Sequence, residues 1–190
     1  MTEWNAETAE WYARNYGEYA TNRLAVELIE LDRDSVIVDV GCGTGSALRH
    51  AASTVTVGSL IGVDPVPRML EIARQETALH LGAERIDFCE GSAENLPVDD
   101  GAADIVLAFD SFDHWQDKER GLGEIRRVLR PAGRLVVVKD GGLPGGAAAR
   151  RAFVETLTHA GFAVAREEQI DAEGVSFTLW ICVLVNYQTA

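Results

Sequence analysis

Two hydrophobic periods alternate along the chain. Short β-branched apolar runs recur at 35–40, 59–63, 86–89, 104–109 and 134–138, and between them apolar residues return with a helical period. Continuous apolar runs suit strands buried on both faces, and the periodic stretches suit the helices that cover them. This alternation predicts βαβ units and a mainly parallel sheet. The first crossover helix is short, near 45–53. The second starts at Pro67, shows Val66, Met69, Leu70 and Ala73 on one face, and is expected to stop at Gly82. The third is capped by Asp117, carries Leu122, Ile125, Val128 and Leu129, and ends at Pro131. After the glycines 141, 142, 145 and 146, a last helix turns Phe153 and Leu157 inward and stops at Gly161. Strands at 162–169 and 175–185 flank Asp171-Ala172-Glu173-Gly174, a short hairpin-type connection, so they pair antiparallel.

The first 34 residues precede the sheet. They are helical and aromatic, with Trp4, Trp11, Tyr12, Tyr16 and Tyr19, then Leu24, Leu28 and Leu31 on one face. No repeat, low-complexity tract or linker interrupts the chain. One domain over 1–190 is expected, with 1–34 a helical cap on a core of 35–190.

Composition narrows the functional classes. The 190 residues are 47% hydrophobic and 25% charged, as in globular proteins that form a sizeable core. The longest apolar stretch, 179–185, is far short of the roughly 20 residues that span a bilayer, and the N-terminus shows no secretory signal, so no membrane partner is expected. A net charge of −13 repels nucleic acid, and Arg126, Arg127, Arg130 and Arg134 read as the outer face of a helix and its sequel. Cys42, Cys89 and Cys182 form no CxxC pair and no zinc spacing, which suits a reducing cytoplasm and predicts no metal. Cys42 has no accompanying base and reads as a packing residue rather than a nucleophile.

The chemistry concentrates where the first strand ends. Val38-Asp39-Val40-Gly41-Cys42-Gly43-Thr44-Gly45-Ser46 places glycines at alternate positions, which lets the backbone turn tightly and approach a ligand. Ser46 stands where a dinucleotide fingerprint has its last small residue, so the spacing is Gly-x-Gly-x-Gly. In a parallel sheet ligands bind beyond the carboxyl ends of the strands, which selects Asp39 to Gly45, Asp64-Pro65, Gly91 to Glu94 and Phe109 to Trp115. Asp64, ending the second strand, can accept from both hydroxyls of a ribose or cap the next helix.

The ordered set Val-Asp-Val-Gly-Cys-Gly-Thr-Gly, Ile61-Gly62-Val63-Asp64 with Met69-Leu70, Gly91-Ser92-Ala93-Glu94-Asn95-Leu96-Pro97, Asp104-Ile105-Val106 with His114-Trp115, and Glu124 through Leu135 resembles the class I S-adenosylmethionine-dependent methyltransferases, in their small-molecule branch. The resemblance covers 36 to about 138. It implies a Rossmann-like, doubly wound seven-stranded α/β sheet, mainly parallel with an antiparallel last strand, and helices on both faces. It also implies S-adenosylmethionine as cofactor and S-adenosylhomocysteine as product. By position, the Gly41–Gly43 backbone, Cys42 included, would face the methionine and ribose. Asp39 would fix the loop or the ammonium group, and Asp64 would hold the ribose diol. Pro65 and Met69 would lie against the adenine, Ser92 and the Ala93 amide at its edge, and the Phe109 carbonyl on the ammonium. The family commonly has Asp at position 92, so Ser92 implies a weaker or water-mediated contact.

The acceptor is expected to be a small molecule, bound by a monomer or homodimer. Candidate bases are Asp110, Asp113 and His114, just past the fourth strand. Tyr12, Tyr16 and Tyr19 are either a lid over the cofactor or the inner face of a packed helix; Tyr16 is counted with the cofactor residues. Two other readings remain on the sequence alone: a non-catalytic protein that binds the same cofactor, and an NAD-dependent oxidoreductase. Against the oxidoreductase stand Ser46 and the absence of a Tyr-x-x-x-Lys hydride-site pattern.

Overall fold

A computed structural model describes residues 5–185; Trp4, counted above among the aromatic residues of the cap, lies outside them. Seven strands form one sheet: β1 (Ile37–Val40), β2 (Leu60–Asp64), β3 (Ile86–Glu90), β4 (Ala103–Phe109), β5 (Leu129–Asp140), β6 (Phe162–Ala172) and β7 (Val175–Leu184). Their order is β3-β2-β1-β4-β5-β7-β6. Pairings from β3 through β5 are parallel, and β7 runs antiparallel to both β5 and β6. The sheet is therefore the doubly wound, mainly parallel one that the alternating pattern predicts. Strand order reverses between β1 and β4, which opens a crevice at their carboxyl ends.

Six helices surround it: α1 (Ala6–Tyr16), α2 (Ala20–Glu27), α3 (Ser46–Ala51), α4 (Pro67–Thr77), α5 (Lys118–Val128) and α6 (Gly146–His159). Alternate strand residues feed two cores. Val106, Ala108, Leu135 and Val137 meet Leu122, Ile125, Phe153 and Leu157 of α5 and α6, while Ile105, Leu107, Val136 and Val138 share a cluster with Ala25 and Val26 of α2 and Leu48 of α3. On α2 the deeply buried positions are Thr21, Ala25 and Val26; Leu24, Leu28 and Leu31, expected to form its inner stripe, pack only partly buried.

Several boundaries shift. α4 ends at Thr77 rather than at Gly82, which instead opens a 3₁₀ turn over Ala83–Arg85 at φ +93°. α5 ends at Val128, before Pro131, and Leu129 already pairs with Ala103. The register then jumps to Ile105 opposite Arg134, so residues 130–133 bulge out and β5 is longer than its apolar stretch. Glu173 and Gly174, at φ +51° and +80°, form the tight hairpin turn, and Asp171 and Ala172 belong to β6. Two arginines of the α5 region are engaged within the fold. Arg127 bonds Glu124, Asp100 and two carbonyls, and Arg130 pairs with Asp104. His50 and His80 are half-buried, and His159 is exposed.

Candidate active site

The loop Gly41–Gly45 leaves β1 and turns into α3. Gly41 and Cys42 N–H both donate to the Val63 carbonyl (2.8 and 3.1 Å), tying the loop to the end of β2. Gly41 sits at φ +75°, and a Cβ there would lie 2.5 Å from Cβ of Ser111, so only glycine fits. Ser111 in turn donates its hydroxyl to the Val40 carbonyl (2.5 Å). The segments after β1 and β4 are thus pressed together at the switch point.

Two carboxylates lie beneath and beside this loop. Asp64 Oδ2 accepts from Gly43 N–H (3.1 Å) and Oδ1 from Val66 N–H (2.9 Å), each oxygen keeping capacity for one more donor. Burial pushes its pKa up to about 6, against the pull of those two backbone bonds. Asp39 is 2% exposed, and its Oδ1 has no hydrogen-bond partner. Burial, with the Asp64 charge adding to it, pushes Asp39 up to about 7. An electronegative floor of this kind suits a cationic ligand.

Above it opens a cavity of about 650 Å³, within the span that holds a cofactor or drug-sized ligand. Of the residues singled out in the sequence, Gly41, Gly43, Asp64, Pro65, Met69, Ser92, Ala93, Phe109, Asp110, His114 and Tyr16 share its wall. Asp39 and Cys42 lie behind it, around a small recess under the loop. The Cys42 thiol is buried and raised well above its ordinary pKa by desolvation, so it stays protonated and serves as packing. Asp113 is off the wall: its exposed carboxylate is ion-paired with Lys139, which is on it. Asp113 lies in the 3₁₀ turn Phe112–His114, which leaves its side chain exposed.

Lys139 and Asp140, at the end of β5, line the cavity without having been singled out, as do Val66 and Gln116. The strand-end rule that selected the other segments would have found Lys139 and Asp140 had β5 been traced to its full length. Asp110 has φ +51°, a strained conformation for a residue with a side chain, and its Oδ1 accepts from Asp140 N–H (2.7 Å). Burial raises the Asp110 carboxyl. Tyr19 is held above its usual pKa by the charge of Asp140, to which its hydroxyl bonds. Tyr12 is pushed up to about 12 by burial, then by the charges of Asp110, Asp39, Asp64 and Asp140. Tyr12, Tyr16 and Tyr19 form a row of ring contacts, tilted at 5.6 Å and then edge-on at 5.7 Å between centroids, and line the cavity on the side of α1.

The opposite wall is a braced loop. Glu94 accepts from Gln116 and Asp117 N–H (2.7 and 3.0 Å); burial alone would raise its pKa, and these bonds together with one from the Ser92 hydroxyl bring it below the ordinary value. Arg127 reaches the Leu96 and Val98 carbonyls (3.0 and 2.8 Å) and fixes the loop onto α5.

This geometry defines a nucleotide-type ligand site on a doubly wound sheet, and comparison with known proteins gives its class. Residues 38–137 match the family model described as methyltransferase domain. The chain is 34% identical over 133 residues to an O-methyltransferase of Pyrenophora dematioidea, covering 67% of this chain and 49% of that protein. It is 38% identical over 125 residues to a demethylmenaquinone methyltransferase of Thermus thermophilus, covering 66% and 56%. It thus spans about half the length of these curated relatives. Among solved structures, the methyltransferase in the complex with the Haloferax volcanii Trm112 methyltransferase activator superposes with a TM-score of 0.81 at 21% identity, covering 97% of this chain and 98% of that one. The chain belongs to the class I S-adenosylmethionine-dependent methyltransferase family, whose cofactor is S-adenosylmethionine.

Proposed function

We propose that this chain transfers the methyl group of S-adenosylmethionine to a small-molecule acceptor by in-line displacement. The observation that carries the reading is the pairing of the positive-φ glycine loop with two buried carboxylates, Asp64 on the cavity wall and Asp39 behind it. The donor's sulfonium is cationic and the demethylated product lacks that charge. Anionic groups about 4 Å away would favour donor over product by roughly 1–4 kcal/mol. In this reading the Gly41–Gly43 backbone meets the methionine and ribose, and Asp64 accepts from the ribose diol. Pro65 and Met69 pack on the adenine, with Ser92 and the Ala93 amide at its edge, and the Phe109 carbonyl takes the ammonium. Tyr16 closes over the donor.

Displacement at a methyl group asks the protein mainly to align nucleophile, carbon and sulfur and to exclude water. The row of tyrosines serves the second need. Where the acceptor carries a proton, Asp110, His114 and Asp140 are candidate groups on the wall to take it, and Asp110 also accepts from the Asp140 backbone N–H. A small acceptor is supported by the net charge of −13, which disfavours nucleic acid, and by the two relatives, named for O-methylation and for demethylmenaquinone. Titration calorimetry should show S-adenosylmethionine and S-adenosylhomocysteine binding at one site per chain. Absence of heat with either ligand at millimolar concentration would overturn the reading.

A further inference from the structure

We infer that Arg49 and Glu18 are positioning residues that set the tyrosine-bearing helix α1 over the glycine loop. The turn between α1 and α2 rests directly on that loop. Thr44 donates its hydroxyl to the Gly17 carbonyl (2.8 Å), and a Cβ on Gly17 would stand 2.5 Å from the Ala13 carbonyl oxygen and 3.2 Å from Thr44 Cγ2. The next residue, Glu18, takes an ion pair from Arg49 on one carboxylate oxygen and the Ser46 hydroxyl (3.3 Å) on the other. The second terminal nitrogen of Arg49 donates to the Thr44 carbonyl (2.5 Å) and to Thr77 Oγ1 at the end of α4 (3.4 Å).

One guanidinium therefore bonds a carbonyl inside the glycine loop and the carboxylate of the turn that carries α1. The Arg49 side chain is 6% exposed, so its bonds are shielded, while Glu18 is 61% exposed and closes the network from outside. The far end of α1 is held by Ala9 against Val66 and Met69 and by the Glu10–Arg68 pair (3.1 Å). Tyr12 and Tyr16 hang between these two pins, and Tyr12 Cε1 would be 3.7 Å from a Cβ on Gly43. Ser46 gains a reason here as well. Where a dinucleotide loop carries glycine or alanine, this chain places a hydroxyl that bonds the turn.

Only a forked donor can hold both acceptors at once, so lysine at position 49 should fail to replace arginine. Hydrogen exchange in the ligand-free chain reads the claim without reference to the donor. In E18Q and in R49K the amides of 6–16 should exchange about tenfold faster than in the wild type, with those of 118–128 unchanged. The ligand arm, which rests on the donor reading, uses S-adenosylhomocysteine: both variants should bind it about tenfold more weakly, with the thermal midpoint of the free protein little altered. The charge-neutral double variant R49M/E18Q separates positioning from mere neutralisation of a buried charge, since it should keep a thermal midpoint near the wild type's together with fast exchange in 6–16 and weak binding. Wild-type exchange in both single variants, acceleration of 118–128 alongside 6–16, or wild-type affinity in R49M/E18Q would each overturn the inference. A wild-type chain that fails to bind S-adenosylhomocysteine would remove the donor reading and leave the exchange result to decide the positioning.

Discussion

Replacing Asp39 with asparagine should exchange function for stability in a pH-dependent way. The folded chain holds the Asp39 proton to about pH 7, whereas the unfolded chain releases it near 3.8. From about pH 4 to about pH 7 the native state carries a proton that the unfolded state lacks, so rising pH destabilises the fold. The loss is about 1.4 kcal/mol per pH unit, or about 4 kcal/mol from this one group. The stabilising contribution is thus present at low pH and gone once pH passes the folded value. The asparagine side chain would carry no charge at any pH, but its amide N–H would need an acceptor beside an atom that already has no partner, at a cost of about 1–2 kcal/mol. The variant should therefore be about as stable as the wild type at about pH 5 and more stable by about 2–3 kcal/mol at about pH 8. Urea unfolding at both pH values measures the two differences. Calorimetry at the higher pH should show S-adenosylmethionine binding weakened about tenfold or more, because an anionic neighbour of the donor has gone. Parallel pH–stability curves for variant and wild type would refute the argument.

Further outcomes follow from the same geometry. Asp64→Ala removes the acceptor for two backbone N–H groups and the candidate ribose contact, and should weaken S-adenosylmethionine binding by about 100-fold in calorimetry. Gly41→Ala forces a side chain onto Ser111 at a positive φ and should cost about 2–4 kcal/mol in denaturant unfolding; a stable, binding-competent variant would contradict the close approach. With an acceptor found by a methyl-transfer panel, Asp140→Asn should lower kcat about 100-fold or more while Asp113→Asn stays within about threefold. Equal effects of the two would undo the assignment of the acceptor end.

Strand positions and the donor loop were legible because both are written in local pattern. A parallel strand buried on both faces shows as an unbroken apolar run, as at 105–109, and the alternating glycines announce a backbone that side chains cannot follow. Contacts made across long stretches of chain were not legible. Arg49 looks like an ordinary charged residue in the last turn of a short helix, yet it is buried because its partners, Glu18 and Thr77, arrive from elsewhere. Asp140 was missed because the polar ending of β5, Lys139-Asp140, continues a strand whose apolar run stops at Val138. Asp113 lies off the cavity wall for the converse reason: proximity in sequence to a strand end does not fix the direction of a side chain in the turn that follows.

The antiparallel hairpin has a consequence for how the chain is made. β7 is the last strand of the described residues to leave the ribosome, yet it lies inside the sheet, between β5 and β6. Until it arrives, the edge of β5 over 134–140 offers unpaired N–H and C=O groups flanked by Leu135, Val136, Val137 and Val138. Such an edge is a template for pairing with another chain. The tight Glu173–Gly174 turn lets β7 form beside β6 as a unit. The nascent protein thus closes its most aggregation-prone border with a hairpin in one step, after the donor loop and its carboxylates have already been synthesised.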